Sequence, residues 1–534
     1  MDIQVRINHE GALRNQRFAF TDRFTLVTEL LQNARRAGAT LIVIIHDEQN
    51  KTLSIQDNGC GIDDFQKLLT FNETGWDETT RHEEAPFGIG FSKCLYAAGR
   101  CIVASKGQFV DIDTAAALAQ APIPVQETDS DMRLPIGTAI VLFGVELEGL
   151  VHRMPDLCRG FPVPVTFNGL DIARPHALPA LNAQTTSVGH IHLEGLKDGK
   201  FARRTVVYLQ GFRVYQAPTY YSCEEPANVV HLDPTKFMAR LPDREKLIDE
   251  DEQVKLVHQA ISALWLDALQ ETKATLPAPQ FVEAFFDAAK HWSHTEVFND
   301  VDCLPLSICD TISGYPRQAP FRQLDFLEAV KQPITRDDVL SGQVTLTDID
   351  YPDSATAACW MFAQAKGHVI IHTSSLSMGH WVHSHVRHLD PDDVVIEPVD
   401  LQRQASFEGR WLDAEVLLCK HVRIRIKDEV ADIHEDGFSH EDAIYVPAQE
   451  ASGCAVDQAC SFVDGNDQYH EDDREADAQA LADLIRLLRA VDPRETLQGM
   501  LVDLKLEKYP VLHGHTFRLT VSQGHQAHTL ELIE

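Results

Sequence analysis

No two of the eleven cysteines stand in a C-x-x-C pair, so the chain offers neither a paired-thiol metal knuckle nor a dithiol redox motif. Its opening, Met1-Asp-Ile-Gln-Val5, has no basic and apolar leader. With thiols that show no pairing, this makes a reducing cytoplasm the expected location. Long apolar runs are missing too: none approaches the roughly 20 residues that cross a bilayer, so no membrane partner is expected. Positive charge is scarce, with 47 Lys and Arg against 80 Asp and Glu, for a net charge of -33. The shortage is uneven, since residues 1–275 hold 36 acids and 27 bases and residues 276–534 hold 44 and 20, leaving -9 and -24. This balance argues against nucleic acid or an anionic membrane as a partner for the whole surface, while a local basic groove stays open. Internal repeats are not visible, and 534 residues are too many for one core, which points to about three domains.

What the chain does have is concentrated between Thr25 and Arg100. A helix is predicted over 25–40, with Leu26, Leu30, Ala34 and Ala37 on one face and Gly38 as its stop. Glu29 and Asn33 are four apart and project from one side. A carboxylate there can activate a water, and a neutral amide oxygen can ligate Mg2+ without a charge that repels phosphate. A solvated polar face explains the same two residues. Strands are expected over 41–46 and 52–56, and the second runs into Asp57-Asn-Gly-Cys-Gly61. A carboxylate at a strand end, followed by Gly59 and Gly61 that let a flat ring approach the backbone, suits an adenine amino group. A tight Asp-Gly turn accounts for three of these residues equally well. A third element, Phe87-Gly-Ile-Gly-Phe-Ser92, opens a further predicted helix with Gly88 and Gly90, where backbone N–H groups can cradle phosphates. Each element alone is a weak signal, and their order within one domain's length is what points to an ATP pocket.

These residues resemble the GHKL ATPase superfamily, which groups DNA gyrase B, the ninety-kilodalton heat-shock chaperones, sensor histidine kinases and the mismatch-repair MutL proteins. Glu29-Leu-Leu-Gln-Asn33 followed by Ala37-Gly-Ala-Thr40 looks like the MutL form of the N box, and Asp57-Asn-Gly-Cys-Gly61 like the first glycine box. Phe87-Gly-Ile-Gly-Phe-Ser92 is similar to the chaperone form of the second glycine box, and Thr74-Gly75 lies where those chaperones carry a lid motif. Gly137-Thr138, opening a predicted strand, matches the pair that closes the pocket beneath adenine. The resemblance covers roughly residues 1–175, the size of one domain. It implies Glu29 as general base, Asn33 as Mg2+ ligand and Asp57 as adenine contact. Gly59, Gly61, Gly88 and Gly90 would line the ATP, and Thr138 would support Asp57. Two departures bear on the hydrolysis rate: Arg36 stands where the family is usually acidic, and Ala85, followed by Pro86, replaces the first glycine of the second box.

The expected fold is α+β. A Bergerat-type α/β sandwich ATPase domain is placed over 1–180, a strand-rich, transducer-like α+β domain over 181–275, and a mixed α/β acidic region over 276–534. Ile3 to Ile7 reads as an edge strand, Phe71 to Pro86 as a lid, Thr114 to Pro124 as a connection and the proline-dense passage 155–179 as a boundary. Beyond it, strands are expected over 190–193, 204–215 and 229–232, then an amphipathic helix with Val254, Val257, Ile261, Leu264 and Ala268 on one face. In transducer-like domains a basic side chain reaches the γ-phosphate, which makes Lys236, Arg240 and Arg244 candidates; surface charge beside a turn explains them as well. Past Leu276 the resemblance stops. His380 to His388 reads as a half-buried strand with histidines outward rather than a metal site, and Leu481, Leu484, Ile485 and Leu488 as a helix stripe for internal or partner packing. The leading expectation is an ATP-driven machine, chaperone-like or MutL-like, that engages a macromolecular client and dimerises with ATP. The alternatives are a nucleotide-gated sensor with little turnover and a DNA-repair or defence factor.

Overall fold

The computed structural model describes residues 4, 23–70, 76, 78, 90–128, 137–218, 226–240, 245–318, 324–463, 468–504, 506–522 and 527–533. The edge strand expected at Ile3–Ile7, the lid over most of 71–86, Gly88 and Arg244 lie outside these described residues. The chain is α+β with several mixed sheets, and it divides into two compact units: Met1–Leu276 with Ala284–His294, and Pro277–Glu283 with Thr295–Glu534. No helix among the described residues is long and apolar enough to cross a membrane.

In the first unit, apolar residues at alternate positions make β1 (Ile42–Asp47) and β2 (Thr52–Asp57), which pair antiparallel. They lie inside an eight-stranded sheet of order β5-β4-β3-β6-β2-β1-β7-β8. Its other strands are β3 (Arg100–Ser105), β4 (Gln108–Asp113), β5 (Val125–Glu127), β6 (Thr138–Phe143), β7 (Val165–Phe167) and β8 (Leu170–Asp171). Only β1 and β7 run parallel. Helix α1 (Thr25–Arg36) buries Leu26, Leu30 and Leu31, which share one core with Ile42, Ile44, Leu53, Val103 and Leu142 of the sheet and Leu95 of α2 (Ser92–Ala97). Each such side chain contributes about 1.5–3 kcal/mol by leaving water. Residues between them point to the other face, where Ile45 is 57% exposed.

Two local expectations are corrected. The connection over Thr114–Pro124 starts as α3 (Thr114–Leu118), because the Asp113 carboxylate caps it by accepting the Ala116 N–H at 3.0 Å. The proline-dense passage, where a boundary is expected, has Pro155 within α4 (Leu150–Cys158), holds the last strands of the first sheet and ends before the second sheet begins at Gln184. The strand expected over 204–215 is a hairpin, β11 (Arg204–Leu209) and β12 (Phe212–Gln216), since Gln210 (φ 55°) and Gly211 (φ 89°) turn the chain. With β9 (Gln184–Thr186), β10 (Gly189–His192) and β13 (Ala227–Leu232) they form a second sheet of order β12-β11-β13-β10-β9. Helix α5 (Glu250–Thr275) follows. It buries Val257, Ile261, Trp265 and Leu269, a face turned from the expected one because the large Trp265 ring takes the inward position beside Leu264.

Helix α6 (Ala278–His291) has residues in both units. In the second unit, strands β14 (Cys309–Ile312), β15 (Leu327–Ala329), β16 (Leu346–Asp348), β17 (Val369–Ile371) and β18 (Arg387–His388) form a mixed sheet, and α7 (Ala357–Lys366) shares a core with Ile370 of β17. A long hairpin, β19 (Val394–Glu408) and β20 (Asp413–Ile426), continues through β21 (Glu429–Ile433), β22 (Phe438–His440) and β23 (Ala443–Pro447). Helices α8 (Cys454–Ser461) and α9 (Glu471–Arg489) cover it: Leu481, Ile485 and Leu488 join Val416, Leu418 and Ile444 in one core, so the α9 stripe packs internally. The histidine run is a strand only at its end, β18, and a 3-10 turn before it. His380 is buried and its Nδ1 accepts the Val382 N–H at 3.2 Å, capping a 3-10 turn over Trp381–Ser384.

Candidate functional site

Helix α1 ends as its sequence dictates. Gly38 takes φ +70°, and the N–H groups of Gly38 and Ala39 bond back to the carbonyls of Arg35 (3.0 Å) and Ala34 (3.1 Å). This double bond with a left-handed glycine stops a helix with its carbonyls satisfied. The apolar stripe of α1 faces the sheet, yet Glu29 is also buried, at 7% exposure, while Asn33, one turn on, is half-buried.

Gly90, just before α2, lies against those two residues. A Cβ on Gly90 would fall 2.6 Å from Glu29 Oε2 and 3.7 Å from Asn33 Nδ2, so only glycine fits there. Lys93, in the first turn of α2, places its Nζ 3.8 Å from Glu29 Oε1, and both side chains are under a tenth exposed. α2 has only six residues, so its dipole adds little and the charge at this place comes from side chains.

The other end of α1 holds the second turn. The Cys60 N–H donates to the Ala37 carbonyl at 2.8 Å, and the Asn58 carboxamide accepts from the N–H groups of Thr40 (2.8 Å) and Leu41 (3.0 Å). Asp57, the last residue of β2, stands opposite Thr138 in the β2–β6 register. Its Oδ1 accepts the Gly59 N–H at 2.8 Å. Burial pushes the Asp57 carboxyl above its usual range, and the N–H groups of Gly59 and Thr138 oppose the rise. Gly59 and Gly61 use their missing side chains for protein contacts. A Cβ would lie 2.7 Å from Ala37 Cβ at Gly59 and 2.7 Å from Ser105 Oγ at Gly61. Gly137 is as constrained, with a Cβ 2.3 Å from the Asp57 carbonyl. Ser105 Oγ ties these turns together, accepting the Ile62 N–H (2.9 Å) and donating to the Gly137 carbonyl (2.9 Å).

A testable consequence concerns pH. Because the folded-state pKa of Asp57 is raised, its ionised form costs stability above that pKa, and the cost disappears as pH falls through it. Asp57→Asn keeps an oxygen for the Gly59 N–H and carries no charge. It is therefore expected to melt at or above the wild-type temperature at neutral pH, with the gap closing towards acid; scanning calorimetry across pH checks this.

The structure thus brings Glu29, Asn33 and Gly90 together, and separately Asp57, Gly59, Gly61 and Thr138, with α1 touching both groups. The basic candidates of the second sheet fare differently. Lys236 donates to the Ser187 carbonyl (3.0 Å) and pairs with Asp233 (3.3 Å). Arg240 is exposed, its backbone bonded to Lys246 at 2.7 Å, and among the described residues no hydrogen bond or ion pair joins its side chain to Glu29. Sequence analysis missed Lys93, Ser105 and Gln32. Lys93 follows the glycine turn by three residues, a spacing that marks it for attention, whereas nothing local marks Ser105. Gln32, between Glu29 and Asn33, is buried and hydrogen-bonds Gln210 in the β11–β12 turn, 178 positions away. The same end of that amide lies 3.2 Å from Arg35 Nη2 and 3.3 Å from Arg36 Nη2, so Gln32 stands against the last turn of α1 as well as against Gln210.

Among the described residues no three His, Cys, Asp or Glu side chains gather as a metal centre. No family model and no curated protein matches this chain.

Proposed function

We propose that the first unit binds Mg-ATP and hydrolyses it as a GHKL-type ATPase with a Bergerat-type pocket. The observation that carries this reading is the convergence of both glycine turns on α1: Gly90 against Glu29 and Asn33, and Gly59 against Ala37 beside Asp57. Asp57, half-buried between two backbone donors, accepts the adenine amino group. Asn33 is the residue that holds Mg2+, and the ion supplies charge neutralisation to the phosphates. Glu29 takes a proton from water as the water oxygen forms its bond to the terminal phosphorus. The bond from that phosphorus to the bridging oxygen breaks, its electron pair stays on ADP, and inorganic phosphate leaves.

The second sheet joins this reading as a transducer-like element, because the β11–β12 turn meets α1 at Gln32, next to Asn33 in sequence. Movement of α1 on nucleotide binding therefore reaches that sheet directly, and from there a macromolecular client or a second chain. A homodimer that tightens with Mg-ATP belongs to the same reading, since a ligand preferring the closed state shifts the population by its differential affinity. Light scattering with and without a non-hydrolysable ATP analogue tests this; a monomer in both conditions removes the dimer. A second reading, a nucleotide sensor with slow turnover, is favoured by the ion pair that occupies Glu29.

Calorimetry tests the site itself. Asp57→Asn is expected to weaken ATP binding by about 1–3 kcal/mol, the value of a charge-assisted hydrogen bond. Equal affinity for wild type and variant removes Asp57 from the adenine site.

A further inference from the structure

Resting on the ATP-site reading above, we propose that Lys93 is a phosphate-binding residue that restrains Glu29 in the absence of ATP and releases it when the terminal phosphate arrives. A lysine ordinarily keeps its ammonium in water even where its stem is covered. Lys93 does the opposite: its side chain is 4% exposed and its Nζ sits 3.8 Å from Glu29 Oε1, on a carboxylate itself 8% exposed. Taking an ammonium out of water is costly unless a counter-charge meets it, and Glu29 supplies one here. A separation of 3.8 Å is an ion pair rather than a tight hydrogen bond, so it holds by charge and yields to an anion that comes closer.

The place is built for such an anion. Lys93 lies three residues after Gly90, whose open backbone faces Glu29 Oε2 and the Asn33 amide. Ammonium, carboxylate, amide and bare backbone thus meet within one turn of each of two helices. A terminal phosphoryl group held at Asn33 brings negative charge beside Lys93. The ammonium then turns from Glu29 to the phosphate, and the freed carboxylate is available to water. ADP lacks that group and leaves the pair intact. Lys93 is therefore both a ligand that distinguishes triphosphate from diphosphate and a positioning residue for the base. Lys236, by contrast, is paired with Asp233.

The test compares affinity for a non-hydrolysable ATP analogue and for ADP, by calorimetry on the full chain, in wild type, Lys93→Met and the double variant Glu29→Gln with Lys93→Met. The double variant removes both charges together, which buried pairs tolerate far better than loss of one, and it decides the matter if the single variant does not fold. Wild type is expected to prefer the analogue over ADP by on the order of tenfold or more, as a hydrogen bond to a charged group provides. Both variants are expected to lose that preference while keeping their affinity for ADP, a split that a merely structural lysine does not produce. An unchanged analogue-to-ADP ratio in either folded variant overturns the proposal and leaves the ATP site standing. A wild type that binds neither nucleotide overturns the ATP site, and the role of Lys93 with it.

Discussion

Glu29→Gln is expected to bind ATP at least as tightly as the wild type, since Lys93 no longer has to leave a carboxylate, and to lose about a hundredfold to ten-thousandfold in turnover, the range that a positioned general base contributes. The separation of binding from turnover follows from where the carboxylate acts: it accepts a proton only as the water attacks, so its effect lies in the transition state and not in the ground-state complex. Glutamine is the informative replacement. Glu29 is buried and paired with Lys93 at 3.8 Å, and truncating one member of a buried pair costs about 3–5 kcal/mol, so alanine mixes a folding defect into the kinetics. The amide keeps the volume and an oxygen for Lys93 but cannot take up a proton at neutral pH. Single-turnover phosphate release alongside calorimetric binding separates the two quantities. Wild-type turnover in the variant removes Glu29 as the base. No turnover in the wild type, with ATP bound, favours the sensor reading.

Asp477→Ala is expected to destabilise the second unit by about 1–3 kcal/mol, the cost of leaving hydrogen-bonded groups without their partner. Asp477 is 1% exposed and lies in α9. One carboxylate oxygen accepts the Arg410 N–H at 2.6 Å, and the other accepts those of Trp411 (3.1 Å) and Leu412 (3.3 Å). These three donors form the tip between β19 and β20, and Gly409 leaves room for the carboxylate, since a Cβ there would lie 2.7 Å from Oδ1. Alanine leaves three backbone N–H groups without this acceptor and detaches the acidic helix from the hairpin it covers. Urea denaturation followed by tryptophan fluorescence, with Trp411 on the affected tip, is expected to show the transition of the second unit moved to lower urea while Asp57→Asn leaves it in place. A midpoint unchanged from wild type refutes the anchoring role.

Much of the first unit was legible in the sequence because its signals are local. The α1 stripe, the left-handed Gly38 that ends the helix and the alternation of β1 and β2 follow from side-chain period and from which residues accept positive φ. The Gly59, Gly61 and Gly90 positions were legible as places of close backbone approach, though not what they approach: at Gly59 and Gly61 the neighbour is protein, Ala37 and Ser105. Where apolar patterning allowed two registers, as in α5, the sequence favoured Leu264 and the packed core selected Trp265, since the largest inward side chain is chosen by the space around it.

The sequence by itself determined the elements around Glu29, Asn33, Asp57 and Thr138, and their order along the chain. Only the tertiary structure decided that Lys93 turns inward onto Glu29, that Ser105 ties Ile62 to Gly137, that Gln210 reaches Gln32, and that Asp477 anchors the β19–β20 tip. Most of these contacts join residues far apart in sequence. A polar side chain looks the same in a sequence whether it faces water or a buried partner; which it meets depends on strands and helices brought together from elsewhere, and so on the cost of burying its charge or donor without that partner.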